Sequence, residues 1–198
     1  MAAARGEFPA IDGKVTVLPA LRDGFEASVA FTGHAMVATA LPPAEVLERG
    51  PDGFGRSLAP DFLRWLAGPR GWIGEIDATL VARGSGNGSL PRRADLDQHP
   101  RVALARRLRT NVEVYADERG LVTLSNGLAG RREVSIEVAA TGGAGLGRAL
   151  LHDVLGLVPL GEFVFAGVTP GNARSLRAFL AAGFVPIGSE VLLRPERR

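Results

Sequence analysis

The residue types best suited to chemistry gather at one junction, Glu137 to Leu151, which reads EVAATGGAGLGRALL. An alternating strand runs into a turn holding Gly142, Gly143, Gly145 and Gly147, and an amphipathic helix follows at once. A helix start offers backbone N–H groups without intrahelical partners and the positive end of the helix dipole, which suits phosphate oxygens. Glycines there admit a left-handed backbone and let a ligand approach the chain closely. The same spacing also makes an ordinary tight strand-to-helix turn, and alone it does not choose between the two readings. A mononucleotide P-loop is excluded, because no Lys followed by Ser or Thr comes after the glycines. A dinucleotide fingerprint fits poorly: Glu162 opens the next strand instead of ending it, and antiparallel strands precede the glycines.

Side chains able to move protons are few. Glu133 and Glu137 lie along the strand before the turn, and Glu137 is the candidate base, although each also reads as an exposed strand residue. His34, His99 and His152 are isolated in the sequence, and His152 reads as a surface or packing residue of the helix. Tyr115, the only tyrosine, lies in a strand from which it could reach a cleft. Asp95, Asp97 and His99 alternate like a ligand set, but two acids and a histidine before Pro100 are helix-start chemistry, and no metal is expected. With no cysteine, a disulfide scaffold, a thiolate zinc site, an iron–sulfur cluster and a cysteine nucleophile are excluded.

The elements that must position these groups follow from periodicity. Residues 1–13 read as a loose lead-in. Residues 14–18 and 26–40 alternate, the second stretch breaking at Thr32-Gly33 into a hairpin. Helices are expected at 43–49 and 59–67, a strand at 75–83, a flexible loop at 84–93, and a helix opened by Asp97 or His99. Strands at 111–116 and 121–127 flank a turn at 117–120. A strand at 133–140 sets Val134, Ile136 and Val138 on one face and Glu133, Ser135 and Glu137 on the other. The helix at 148–158 carries a stripe of Leu150, Leu151, Val154 and Leu155. A strand at 162–168, a helix at 173–183 ended by Gly183, and strand material at 184–193 complete the chain. The expected fold is α/β of the α+β type, one domain over 14–198 with a mixed sheet and flanking helices.

The chain has 198 residues, 46% hydrophobic and 22% charged, enough for one large domain at about 100–200 residues each. All but one of the 23 basic residues are arginine, Lys14 being the exception, and the net charge is only +2. Arginine beside abundant Ala, Gly and Leu looks like the coding bias of a GC-rich bacterial genome. The pairs Arg92–Arg93, Arg106–Arg107 and Arg131–Arg132 are separated by acids and apolar residues, so no basic stripe points to nucleic acid. Apolar runs break well short of the ~18 residues of a membrane span, and the first residues lack the order of a secretion signal. The expectation is a soluble, cytoplasmic protein with no membrane or nucleic-acid partner. The hairpin at 26–40 reads either as an edge pairing a homodimer or as internal core.

About 30 residues beyond the glycines comes VTPGNARSLRAFLAAGFVPIGSEVLL. This segment closely resembles the last motif of the GNAT superfamily of N-acetyltransferases, with Asn172 opening a helix, Ser175 and Phe179 at successive turns, and Gly183-Phe184 leading into the final strands. The Gly-rich turn is similar to that family's acetyl-CoA signature, Gly145 and Gly147 holding its two glycine positions. The resemblance covers residues 111–193 well and the first hundred by general architecture only. It implies a largely antiparallel sheet that splays between the strand ending at Ala140 and the strand at 162–168, where the cofactor enters. It further implies that the backbone of Gly143, Ala144, Gly145, Leu146, Gly147 and Arg148 holds the coenzyme A pyrophosphate. Val138 and Ala139 would pair with the pantetheine, Asn172 would hydrogen-bond it, Ser175 would face the phosphates and Phe179 would pack near the sulfur.

Three positions depart from the family pattern. Gly142 stands where an Arg or Gln is usual, Phe179 where a proton-donating Tyr often lies, and Gly167 where some members carry a catalytic Glu. Arg148 or Arg174 could compensate for the first. Transfer to an amine still needs only a free amine, a carbonyl polarised by a backbone N–H such as that of Ala139, and a route for two protons. The function expected is acetyl-CoA-dependent transfer to a small-molecule or peptide amine within a ternary complex. The alternative is a catalytically degenerate GNAT-fold protein that binds acyl-CoA or regulates. A nucleic-acid-binding module is the weakest of the three.

Overall fold

Two periodicities build the elements, period two in the strands and about 3.6 in the helices. The computed structural model describes residues 1–140 and 145–197. In chain order the elements are β1 (Val15–Pro19), β2 (Glu26–Phe31), β3 (His34–Thr39), α1 (Pro43–Glu48), α2 (Pro60–Ala67), β4 (Trp72–Ile73), β5 (Asp77–Arg83), α3 (Pro100–Leu108), β6 (Thr110–Asp117), β7 (Gly120–Asn126), β8 (Arg132–Val138), α4 (Leu146–Leu157), β9 (Phe163–Val168), α5 (Ala173–Ala181) and β10 (Val185–Arg194). The chain divides into two compact units, Met1–Thr79 with the segment from Ile187, and Leu80–Pro186. The fold is mixed α/β, as the sequence leads one to expect.

In the first unit the strand order is β1-β3-β2-β10, with β4 paired to β10. The expected hairpin forms: β2 and β3 are antiparallel and close at Phe31 and His34. β1 joins β3 in parallel. Pro60 sits in the first turn of α2, and Phe62, Leu63, Leu66 and Ala67 are buried along its inner face. They pack with Val37, Val46, Val191 and Leu193. Glu26 is fully buried, and it is satisfied by Thr39, the Ala40 N–H and the Arg197 guanidinium. Residues 1–13, expected to be loose, are tied at their end, since the Asp12 and Gly13 N–H groups both donate to the Gly33 carbonyl.

The second unit is ordered β5-β9-β8-β7-β6. β6, β7 and β8 are antiparallel neighbours in continuous register from Glu113 onward. Helices α4 and α5 cover one face, where Leu150, Leu151 and Val154 pack on Val122, Leu124, Val134 and Val164. Each such side chain contributes roughly 1.5–3 kcal/mol on burial. Val102 of α3 packs with Val114, Ala116 and Leu121. These alternate with Tyr115 and Val122, so α3 covers the opposite face.

Candidate functional site

The site is best built outward from β8. Its neighbour β7 lies antiparallel, Leu121 opposite Glu137 and Thr123 opposite Ser135. The Ala139 N–H donates to the Arg119 carbonyl at 2.9 Å, which fixes the parity of the strand. Odd residues therefore turn their backbone groups to β7, and Ile136 and Val138 turn theirs to the other edge. On that edge lies β9, parallel, in register with β8 at Glu133 and Phe165 and, among the described residues, at no further pair. From Glu133 toward Val138 no further register pair joins the two strands among the described residues, and the backbones of Ile136 and Val138 face that edge. It is along this edge that the sequence resemblance expects the sheet to splay.

At the wide end of the opening stands the first turn of α4. Gly145 is its N-cap, with φ of 89° in the left-handed region, and no side chain among the described residues caps the helix. The N–H groups of Leu146, Gly147 and Arg148 come before the intrahelical bonds begin. A Cβ on Gly147 would lie 3.3 Å from Cγ2 of Val138 and 3.5 Å from Cβ of Ala178, so glycine lets the helix start rest directly on the end of β8. Arg148 is exposed. Gly143 and Ala144, and the Gly142 departure, lie outside the described residues.

Asn172 caps α5, its Oδ1 accepting from the Ser175 N–H at 3.1 Å. That bond engages the oxygen, and the amide NH2 is the donor side of the residue. Ser175 lends its backbone to the cap. Phe179 is only 3% exposed and stacks edge-to-face on Phe184, with ring centroids 4.9 Å apart. Its place is in the core under α5. Of Val138 and Ala139, the first presents its backbone to the opening. The Ala139 N–H is engaged by Arg119, so it is not the group that would polarise a carbonyl.

The acidic face of β8 meets α3. Glu137 is half-exposed and accepts from Nε of Arg101 at 2.9 Å, while Arg101 also donates to Oγ of Ser135 at 3.0 Å. Nε2 of His99 lies 3.7 Å from the second Glu137 oxygen. Nδ1 of His99 accepts from the Arg101 N–H at the start of α3, so the neutral ring carries its proton on Nε2. The sequence reading of His99 as helix-start chemistry is correct, but His99 is not isolated: the fold brings it to Glu137. Asp95 and Asp97 are used elsewhere, paired with Arg93 and Arg106. The Arg93 bond holds the Asp95 carboxyl down to about 2. Among the described residues no cluster of His, Asp and Glu could hold a metal.

Glu133, read from the sequence as an exposed residue or a base, is buried. It bonds the Leu128 N–H at 3.0 Å, Arg131 at 2.9 Å and Arg109 at 2.8 Å. Burial pushes its carboxyl up, but Arg131, Arg109 and the Leu128 amide outweigh that and hold it below the usual range. It anchors the turn and has no freedom to take a substrate proton. Tyr115 lies on the face toward α4, and its hydroxyl donates to Glu113 at 3.2 Å. Burial, then the Glu113 charge, raise its phenol above the usual value. It shares a row with Val122 and Ile136 and is separated from Glu137 by the sheet itself. His34, in the first unit, sits between Asp12 at 2.8 Å and Thr16 at 2.9 Å. His152 is exposed on α4. Among the described residues no helix is long and apolar enough to cross a membrane.

No family model matches the sequence, and no curated protein does. Among solved structures the chain is similar to a crystal structure from Novosphingobium aromaticivorans DSM 12444, assigned to the GNAT family as an acetyltransferase. The identity is 16%, over 65% of this chain and 69% of that one, with a TM-score of 0.45.

Proposed function

We propose that the chain binds acetyl-CoA in the opening between β8 and β9 and transfers the acetyl group to an amine, as a GNAT-type N-acetyltransferase. The observation that carries this reading is the single register of those strands at Glu133 and Phe165, beside a helix start that rests on Val138. The motifs across residues 111–193 support the choice of ligand. The residues fit it: an exposed strand edge accepts a pantetheine amide as it would another strand, and the first turn of α4 offers N–H groups and Arg148 to a pyrophosphate. The amide NH2 of Asn172 would serve as a further donor to the pantetheine arm. Acetyl-CoA as co-substrate accords with a cytoplasmic protein.

The transfer forms one C–N bond and breaks one C–S bond; the amine gives up a proton and the departing sulfur takes one. Glu137, on the face toward α3, is the nearest carboxylate along β8 and would take the amine proton, directly or through water. His99, with Nε2–H turned to Glu137, would keep that carboxylate in place. Phe179 offers no proton, so the sulfur would be protonated from solvent. Acceptor amines would approach from the solvent side of Glu137, whose side chain is half-exposed.

The core position of Phe179 and the bare Gly167 favour a second reading, in which the protein holds acyl-CoA without turning it over. One experiment separates the two: incubation with acetyl-CoA and a panel of amines, with release of free CoA thiol as the readout. Amine-dependent release supports transfer. Binding with no release by any amine supports the second reading.

A further inference from the structure

We propose that the second unit carries a separate site for a free α-amino acid, at the end of the sheet away from the start of α4. A cavity of about 480 Å³ opens there, its lining including Arg92, Asn111, Glu113, Leu124, Asn126 and Arg132. That volume suits a small metabolite.

The polar groups are arranged as a zwitterion requires. Arg92 donates to Oε1 of Glu113 at 2.5 Å, while the Tyr115 hydroxyl donates to Oε2 at 3.2 Å, so the carboxylate is held from two sides. An α-amino acid carries its ammonium and carboxylate on one carbon, and this adjacent pair presents both opposite charges within that reach. Glu113 takes the ammonium. Arg92 and Arg132 take the carboxylate, with the Asn126 amide beside them. Arg132 is otherwise held by one exposed ion pair to Glu162 at 3.3 Å, which a ligand can displace at little cost.

The backbone is shaped for the cavity as well. The register of β6 on β7 shifts between Thr110 and Glu113, and within that irregularity Asn111 has φ of 50°. A left-handed non-glycine residue is unfavourable, and Asn is among the types that bear it best. Such irregularities re-aim side chains, and here the residue concerned lines the cavity.

This site is not the acyl opening. Glu113, Leu124 and Val134 form one row across β6, β7 and β8, and Leu124 and Val134 are 2% and 1% exposed. The cavity meets β8 at its start, Arg132, while the edge at Val138 lies six residues further along the strand, about 20 Å away. The ligand therefore binds whether or not acyl-CoA does.

The test is calorimetric titration of the whole protein with each of the twenty standard α-amino acids and with their α-amides. We expect at least one amino acid to bind, its amide about tenfold or more weaker, and Arg132→Gln, Arg92→Gln and Glu113→Gln each to weaken it by a similar factor. All three side chains are solvent-accessible, so the variants should melt with the wild type. Saturating acetyl-CoA should leave the amino-acid affinity unchanged. The proposal is overturned by no binding at millimolar concentration, by equal binding of acid and amide, by variants that bind like wild type, or by competition with acetyl-CoA. None of these outcomes depends on whether the protein is an acetyltransferase.

Discussion

Glu133 of β8 stands opposite Phe165 of β9 in parallel register, and beyond that pair the two strands share no further register among the described residues. The parting is anchored on its closed side. Glu133 is buried and gripped by Arg109, Arg131 and the Leu128 amide, and the Arg131 guanidinium lies over the Phe165 ring at 4.7 Å. The same cluster that ends the pairing thus fixes where the opening begins.

Glu133→Gln takes a buried carboxylate away from Arg109 and Arg131, and should destabilise the protein by about 3–5 kcal/mol. The wild-type carboxyl is held below its ordinary value of 4.5. Its contribution is therefore complete above that value and lost as pH falls through the lower folded one. Urea unfolding across acid pH should show the difference between wild type and variant shrinking below about pH 4.5.

Thr123 is fully buried on β7, and its hydroxyl finds no hydrogen-bond partner among the described residues. Thr123→Val keeps the shape and removes the unpaired group, so it should stabilise by about 1 kcal/mol. A lower urea midpoint would mean that the hydroxyl is satisfied in solution.

Asn172 separates two roles of one side chain. Asn172→Ser keeps a capping oxygen for α5 but removes the amide NH2, so it should melt like wild type and bind acetyl-CoA more weakly. Asn172→Ala should lose about 1 kcal/mol of stability in addition.

Much of this arrangement is legible in the residues. The stripe of α4, the alternation of β8 and the hairpins at Thr32-Gly33 and 117–120 follow from local periodicity and turn chemistry, and the start of α5 at Asn172 from the family resemblance. What periodicity does not carry is the identity of the covering element. Glu133, Ser135 and Glu137 read as a solvent face, yet α3 lies over it and brings Arg109 to the first and Arg101 to the other two. His99 meets Glu137 for the same reason. The pairing of β5 with β9 joins residues about 80 positions apart, and no local signal marks it. The opposite edges of Val138 and Ala139 are legible in the strand itself, since adjacent residues of one strand turn their backbone groups to opposite edges.

Glu137→Gln removes an exposed partner of Arg101, so stability should change by less than about 1 kcal/mol. If Glu137 receives the amine proton, kcat should fall by about 10² or more with the KM for acetyl-CoA unchanged. Equal rates for variant and wild type, measured by thiol release, would assign that proton to water alone.

The central claim is that acyl-CoA lies in the opening beside α4, and calorimetric titration with acetyl-CoA tests it most directly. The wild type should bind one molecule per chain. Arg148→Glu should fold normally, because an acid suits the first turn of a helix, and should bind at least about tenfold more weakly through repulsion of the pyrophosphate. No heat of binding in the wild type, or equal affinity in Arg148→Glu, would contradict the account.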